Sequence, residues 1–66
     1  RYTEAQMRVA LMDQDLLWLE RVDYQRSDDV IRNWTMELSA LRSRTHDRRD
    51  RQLIADAIKR LGLFRP

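Results

Sequence analysis

The sequence contains no cysteine, one glycine, one proline and one histidine among its 66 residues. The absence of cysteine excludes disulfides and thiolate metal sites, and a single histidine argues against a zinc site made of protein ligands. So few turn-forming residues favour long helices over a sheet. The chain also has no apolar run of eighteen residues and no signal peptide, so we expect no membrane segment and an intracellular protein, cytoplasmic or nuclear.

Charge is distributed unevenly along the chain, although the formal net charge is only +2. Residues 1–41 hold five arginines against eight acidic side chains, whereas residues 42–66 hold eight basic side chains against three aspartates. This uneven charge distribution suits either electrostatic attraction between helices inside the fold or the binding of an anionic partner by the C-terminal part. The length indicates one domain, and because the sequence begins without methionine we expect residues 1–66 to be a single helical domain of a longer protein.

Apolar residues recur at spacings of three and four along three segments of the chain. This periodicity predicts helices over residues 3–22, 28–43 and 48–61. The fold class is therefore expected to be all-α, a small three-helix bundle that is either closed within one chain or completed by oligomerisation. The middle segment carries the clearest stripe and should be the helix around which the other two pack; its members are Val30, Ile31, Trp34, Leu38 and Leu41.

Residues typical of helix ends flank these segments. Thr3, Ser27 and Asp47 stand where an N-cap would accept hydrogen bonds from the first turn of each helix. Gly62 stands where a C-cap would end the third helix. The stretch Asp23–Ser27 interrupts the periodicity and is predicted to form the turn between the first two helices.

The first segment is unusual because its apolar residues fall on two stripes. The stripe with 4-3-4-3 spacing is assigned to the core. The other stripe either lies under the third helix or forms a surface for another chain, most simply a second copy of this one, with a tryptophan as its apolar anchor. The predicted core stripe comprises Ala5, Val9, Met12, Leu16 and Leu19, and the predicted partner surface comprises Met7, Leu11, Trp18 and Val22.

An arginine-rich segment without any apolar residue runs from position 42 to position 51. We expect a turn followed by the start of the third helix; the alternative is that the second helix continues through Thr45. The arginines could neutralise backbone phosphates of a nucleic acid, whereas the interleaved Asp47 and Asp50 favour a solvated connector. The nucleic-acid alternative would use Arg42, Arg44, Arg48, Arg49 and Arg51.

The sequence shows no constellation that carries catalysis. Hydrolysis or group transfer needs a nucleophile with a base, or two carboxylates in contrasting environments. The neighbouring acids Asp13 with Asp15 and Asp28 with Asp29 fit solvated or capping positions, and His46 fits a solvated turn. We therefore expect no enzymatic activity, metal, cofactor or small-molecule substrate. The favoured function is a protein interaction or oligomerisation module, and the alternative is a small nucleic-acid-binding domain.

Overall fold

The computed structural model describes residues 1–22 and 26–64. These residues form three helices, α1 (Glu4–Arg21), α2 (Ser27–Ser43) and α3 (Arg48–Leu63), and no strand occurs in the described part. The predicted all-α, three-helix fold is confirmed, and the ends of the helices fall within two residues of their predicted positions. The alternative in which the second helix continues through Thr45 is wrong, because α2 ends at Ser43.

The N-caps of α1 and α3 are formed by the residues that the sequence indicates. The hydroxyl of Thr3 accepts the backbone N–H of Gln6 at 3.2 Å, and the Gln6 side chain accepts the backbone N–H of Thr3 at 2.9 Å. This reciprocal capping box satisfies two backbone donors at once. At α3, the Asp47 carboxylate accepts the backbone N–H of Asp50 at 2.9 Å.

Two predicted caps are wrong. Arg26 is the N-cap of α2 and makes no side-chain capping hydrogen bond, while Ser27 is the first helical residue and is buried. At 100° per residue Ser27 lies within about 20° of Trp34 and Leu38, so it shares the inward face of α2. The other cap is Gly62, which lies inside α3 without a positive φ. The predicted turn Asp23–Ser27 falls partly outside the described residues.

The core lies where the three inward faces meet. From α1 it takes four buried members of the predicted core stripe, with the fifth, Leu16, packed partly buried against it. Trp34 occupies the α2 side of this core, as predicted, and is 9% exposed. The buried core residues of α2 and α3 are Trp34, Leu38, Leu41, Ile54, Ala57 and Leu61.

The helices run up, down and up, with α3 against both of the others and the most extensive pairing between α2 and α3. Two polar contacts join α1 to α3 at the same offset of 47 residues: Thr3 donates to Asp50 at 3.2 Å, and Arg60 donates to Asp13 at 2.7 Å. A constant offset means that α1 and α3 run parallel and in fixed register. The least extensive pairing is between α1 and α2. The prediction that the other two helices pack around the middle helix is therefore wrong, because α3 is the helix that packs extensively against both others.

Candidate interaction surface

The predicted partner surface lies on the side of α1 that faces away from α3. Met7 is 51% exposed, Leu11 48%, Trp18 54% and Val22 37%. The interpretation that the third helix covers this stripe is therefore wrong. Since α3 packs on the core stripe, it cannot also reach the opposite side of α1. The structure brings the four residues together on one exposed side of the helix and its C-cap.

Sequence reasoning missed further members of this surface. Leu17 is 57% exposed, and it lines a shallow groove together with Gln14, Trp18 and Arg21. A signal for Gln14 and Arg21, but not for Leu17, was present in the spacing, because positions 7, 11, 14, 18 and 21 repeat the 4-3-4-3 pattern of the core stripe two residues further along. We call the side of α1 that carries these residues the outer face; it comprises Met7, Leu11, Gln14, Leu17, Trp18, Arg21 and Val22.

A second depression adjoins the outer face between α1 and α2. Its lining includes Trp18 and Val30, and Asp15 is shared with a neighbouring depression that reaches Trp34. Trp18 is therefore the ridge between the groove on α1 and the groove between the helices. A ridge formed by a large half-exposed aromatic side chain is the geometry of an interface anchor.

Asp15 connects the two helices beside this ridge. Its Oδ2 accepts a hydrogen bond from Trp34 Nε1 at 2.6 Å. The bond satisfies the only donor of the indole ring of Trp34, which is nearly buried, and ties the outer flank of α1 to α2. Sequence reasoning treated Asp15 as a solvated or capping acid because nothing local relates two residues that are nineteen positions apart.

Charged side chains cluster where the N-terminal end of α1 meets the C-terminal part of α2. Arg8 donates to Glu37, and Arg44 donates to Glu4 at 3.1 Å. All four side chains are between 41% and 58% exposed, so each pair contributes little to stability by itself. These pairs nevertheless partly neutralise the four charges, which affects how strongly this end of α1 attracts a charged partner.

The structure does not bring the five arginines of the nucleic-acid alternative together as one free patch. Arg51 Nη1 donates to the carbonyl oxygens of Arg42 at 2.9 Å and Thr45 at 3.0 Å, so this guanidinium holds the turn between α2 and α3. Arg44 is paired with Glu4. Within the described residues, the exposed side chains of Arg42, Arg48 and Arg49 form no ion pair or side-chain hydrogen bond.

The described residues contain no group of three or more acidic, histidine or cysteine side chains that could hold a metal ion. His46 is exposed in the turn before α3. No helix in the described ranges is long and apolar enough to cross a bilayer. Comparisons of the chain with protein-family models, with curated proteins and with solved structures found no match.

Proposed function

We propose that this domain is a non-enzymatic protein interaction module that self-associates through the outer face of α1. The observation that carries the proposal is the exposure of four large apolar side chains on one side of α1 and its C-cap. Scattered exposed apolar residues are normal on a monomer, but several large apolar side chains exposed along the same side of a helix mark an interaction surface. The position of Trp18 on a ridge between two grooves strengthens this assignment.

A second copy of the same chain is the occupant that this surface fits. A helix seam with 4-3-4-3 spacing packs against another helix with the same spacing, and the outer face itself supplies that partner. Contact of a surface with its own copy about a two-fold axis is the commonest form of self-association in soluble proteins. The 18 residues of α1 give a seam about 27 Å long.

The size of this seam limits the affinity. A contact between two single helices of this length falls at the small end of specific interfaces, about 1,200 Å² or less in total. We expect a dimer with a dissociation constant in the micromolar range rather than an obligate dimer. Association should accordingly depend on protein concentration.

Sedimentation equilibrium of the parent chain, from about 5 to about 500 μM, tests the proposal. The mass should rise from that of one chain to that of two. Trp18→Glu should remain monomeric with unchanged helical circular dichroism, because it places a charge within the apolar contact. Met36→Glu is the matched control, since Met36 is 65% exposed and belongs to α2, outside the seven residues of the outer face.

Three results would contradict self-association through the outer face. A parent chain that stays monomeric throughout the concentration range would contradict self-association. Unfolding of Trp18→Glu at low concentration would show that Trp18 supports the monomer rather than an interface. Equal loss of association in Trp18→Glu and Met36→Glu would place the contact elsewhere.

Nucleic-acid binding is the second candidate. Arg42, Arg48 and Arg49 are exposed near the turn between α2 and α3, and three guanidinium groups could contact three phosphates. The engagement of Arg44 and Arg51 within the fold reduces this site from five arginines to three. Asp47 caps α3 beside them and lowers the local potential.

A further inference from the structure

The seam on the outer face extends one step further toward the N-terminus than the apolar residues do. Glu4 lies three residues before Met7, so the seam has six positions at spacings of 3, 4, 3, 4 and 3. It begins with an acidic side chain in the first turn of α1 and ends with a basic one in the last turn. The six seam positions are Glu4, Met7, Leu11, Gln14, Trp18 and Arg21.

Parallel and antiparallel pairing of two such seams bring different residues together. In a parallel pair each seam position faces its own copy, so Arg21 would face Arg21 and Glu4 would face Glu4. Like charges directly opposite each other oppose association. Two Trp18 side chains would also have to share one layer, while the layers on both sides hold smaller side chains.

Antiparallel pairing removes these conflicts. When two copies are aligned so that position numbers in each layer add to 25, Glu4 faces Arg21, Met7 faces Trp18 and Leu11 faces Gln14. Opposite charges then meet at both ends of the contact. The flexible thioether of methionine packs well on an aromatic ring, which suits a layer with one large and one adaptable side chain.

We infer, given the self-association proposed above, that the dimer is antiparallel, with Met7 of one copy packed against Trp18 of the other. Its two-fold axis passes between residues 12 and 13 of α1. Leu11 of each copy lies beside Gln14 of the other, in the two layers nearest the axis. Glu4 of each copy, whose carboxylate also accepts a hydrogen bond from Arg44 of its own chain, lies opposite Arg21 of the other copy at the two ends.

Cysteine cross-linking tests the orientation, and the chain offers a clean background because it contains no cysteine. In the antiparallel dimer, a mixture of Leu11→Cys and Gln14→Cys chains should form a mixed disulfide on mild oxidation, because these positions share a layer. Each variant oxidised alone should cross-link much more slowly than the mixture, and Met36→Cys, which lies off the seam, gives the rate of random collision. Two Gln14 positions are three residues out of layer, about 4.5 Å along the axis, which exceeds the tolerance of a disulfide across a seam.

The same experiment distinguishes failure of the orientation from failure of the proposed function. Rapid cross-linking of Gln14→Cys and Leu11→Cys each with itself would establish a parallel dimer and overturn the antiparallel inference, leaving self-association intact. A parent chain that is monomeric in sedimentation, with all cross-linking at the Met36→Cys rate, would overturn both. A parent dimer whose seam variants cross-link only at that rate would place the dimer contact outside the seam, and would also overturn both.

Charge substitution supplies an independent readout. In the antiparallel dimer, Arg21→Glu replaces two attractive end pairs with two repulsive ones and should weaken association about fivefold or more. Adding Glu4→Arg in the same chain should restore it. In a parallel dimer Arg21→Glu only exchanges one like-charged layer for another, so unchanged affinity in a confirmed dimer would contradict the antiparallel arrangement.

Discussion

The two sides of α1 carry rows of residues with the same 4-3-4-3 spacing, but one row packs into the core and the other is exposed. Met12 on the core stripe is fully buried, whereas Met7 on the outer face is half exposed. A bundle of three helices has a single interior, so only one side of α1 can contact both neighbours. The comparison shows that spacing identifies a face capable of packing, while the arrangement of the other helices determines which face is packed inside the chain.

Truncation of the two methionines tests this difference on matched side chains. Met12→Ala should lower the free energy of unfolding by about 2–5 kcal/mol, because it removes a buried side chain and leaves a cavity. Met7→Ala should lower it by less than about 1 kcal/mol at concentrations where the protein is monomeric. Urea denaturation followed by circular dichroism measures both values.

If Met12→Ala is too unstable for a folded baseline, Met12→Leu gives the same comparison at nearly constant volume, with a cost below about 1.5 kcal/mol. Equal losses for Met7→Ala and Met12→Ala would mean that both sides of α1 are packed in the monomer. The outer face would then be unavailable to a second copy.

Two aspartates of α1 sharpen the comparison at the flanks of the core. Asp15→Ala leaves the nearly buried indole N–H of Trp34 without its acceptor and should cost about 1–3 kcal/mol. Asp13→Ala removes a pair with Arg60 in which both side chains are nearly half exposed, and should cost less than about 1 kcal/mol. Thermal denaturation of both variants shows which substitution destabilises the fold more. If Asp13→Ala and Asp15→Ala lowered stability equally, the hydrogen bond between Asp15 and Trp34 would contribute no more to joining the helices than an exposed ion pair does.

Replacement of two exposed arginines should have the smallest effect on folding. Arg48→Ala with Arg49→Ala should leave stability nearly unchanged, since both side chains lie exposed in the first turn of α3. If the nucleic-acid candidate is right, the parent chain binds duplex or single-stranded nucleic acid at about 50 mM salt, and the double variant lowers the log–log salt slope by about 1.5. Arg26→Ala with Arg32→Ala removes the same charge from exposed positions outside the arginine-rich segment and the outer face, and serves as the control.

Fluorescence anisotropy of a labelled oligonucleotide measures this slope. No binding at low salt would exclude the arginine segment as a nucleic-acid site. If the salt slope fell equally in the control variant, binding would depend on the net charge of the chain and not on a defined surface.

The fold could be predicted because its signals are local. Three- and four-residue periodicity identified all three helices, and the hydroxyl of Thr3 and the carboxylate of Asp47 marked two of their starts. Gly62 was misassigned because a glycine ends a helix only where the backbone turns left-handed, and here the last turn closes with Phe64 N–H donating to the Leu61 carbonyl at 3.2 Å. Composition around a glycine does not reveal which of these endings the chain adopts.

The candidate site was only partly predictable because its remaining features join distant parts of the chain. Periodicity found the outer stripe but could not tell whether α3 would cover it. The contact between Asp15 and Trp34 depends on how α1 and α2 are rotated against each other, which no short pattern records. Likewise, the arginine count gave no sign that Arg51 would hold carbonyl groups of a turn instead of facing solvent.

The contrasting surroundings of the two tryptophans make them separate optical reporters. Trp34 is almost completely buried in the core, so its emission responds to loss of the core. The indole of Trp18 is half exposed to water, and its emission should move to shorter wavelength when another helix covers it. A chain with one reporter of folding and one of docking can therefore reveal, in a single dilution series and without any attached dye, whether the two events occur together or in sequence.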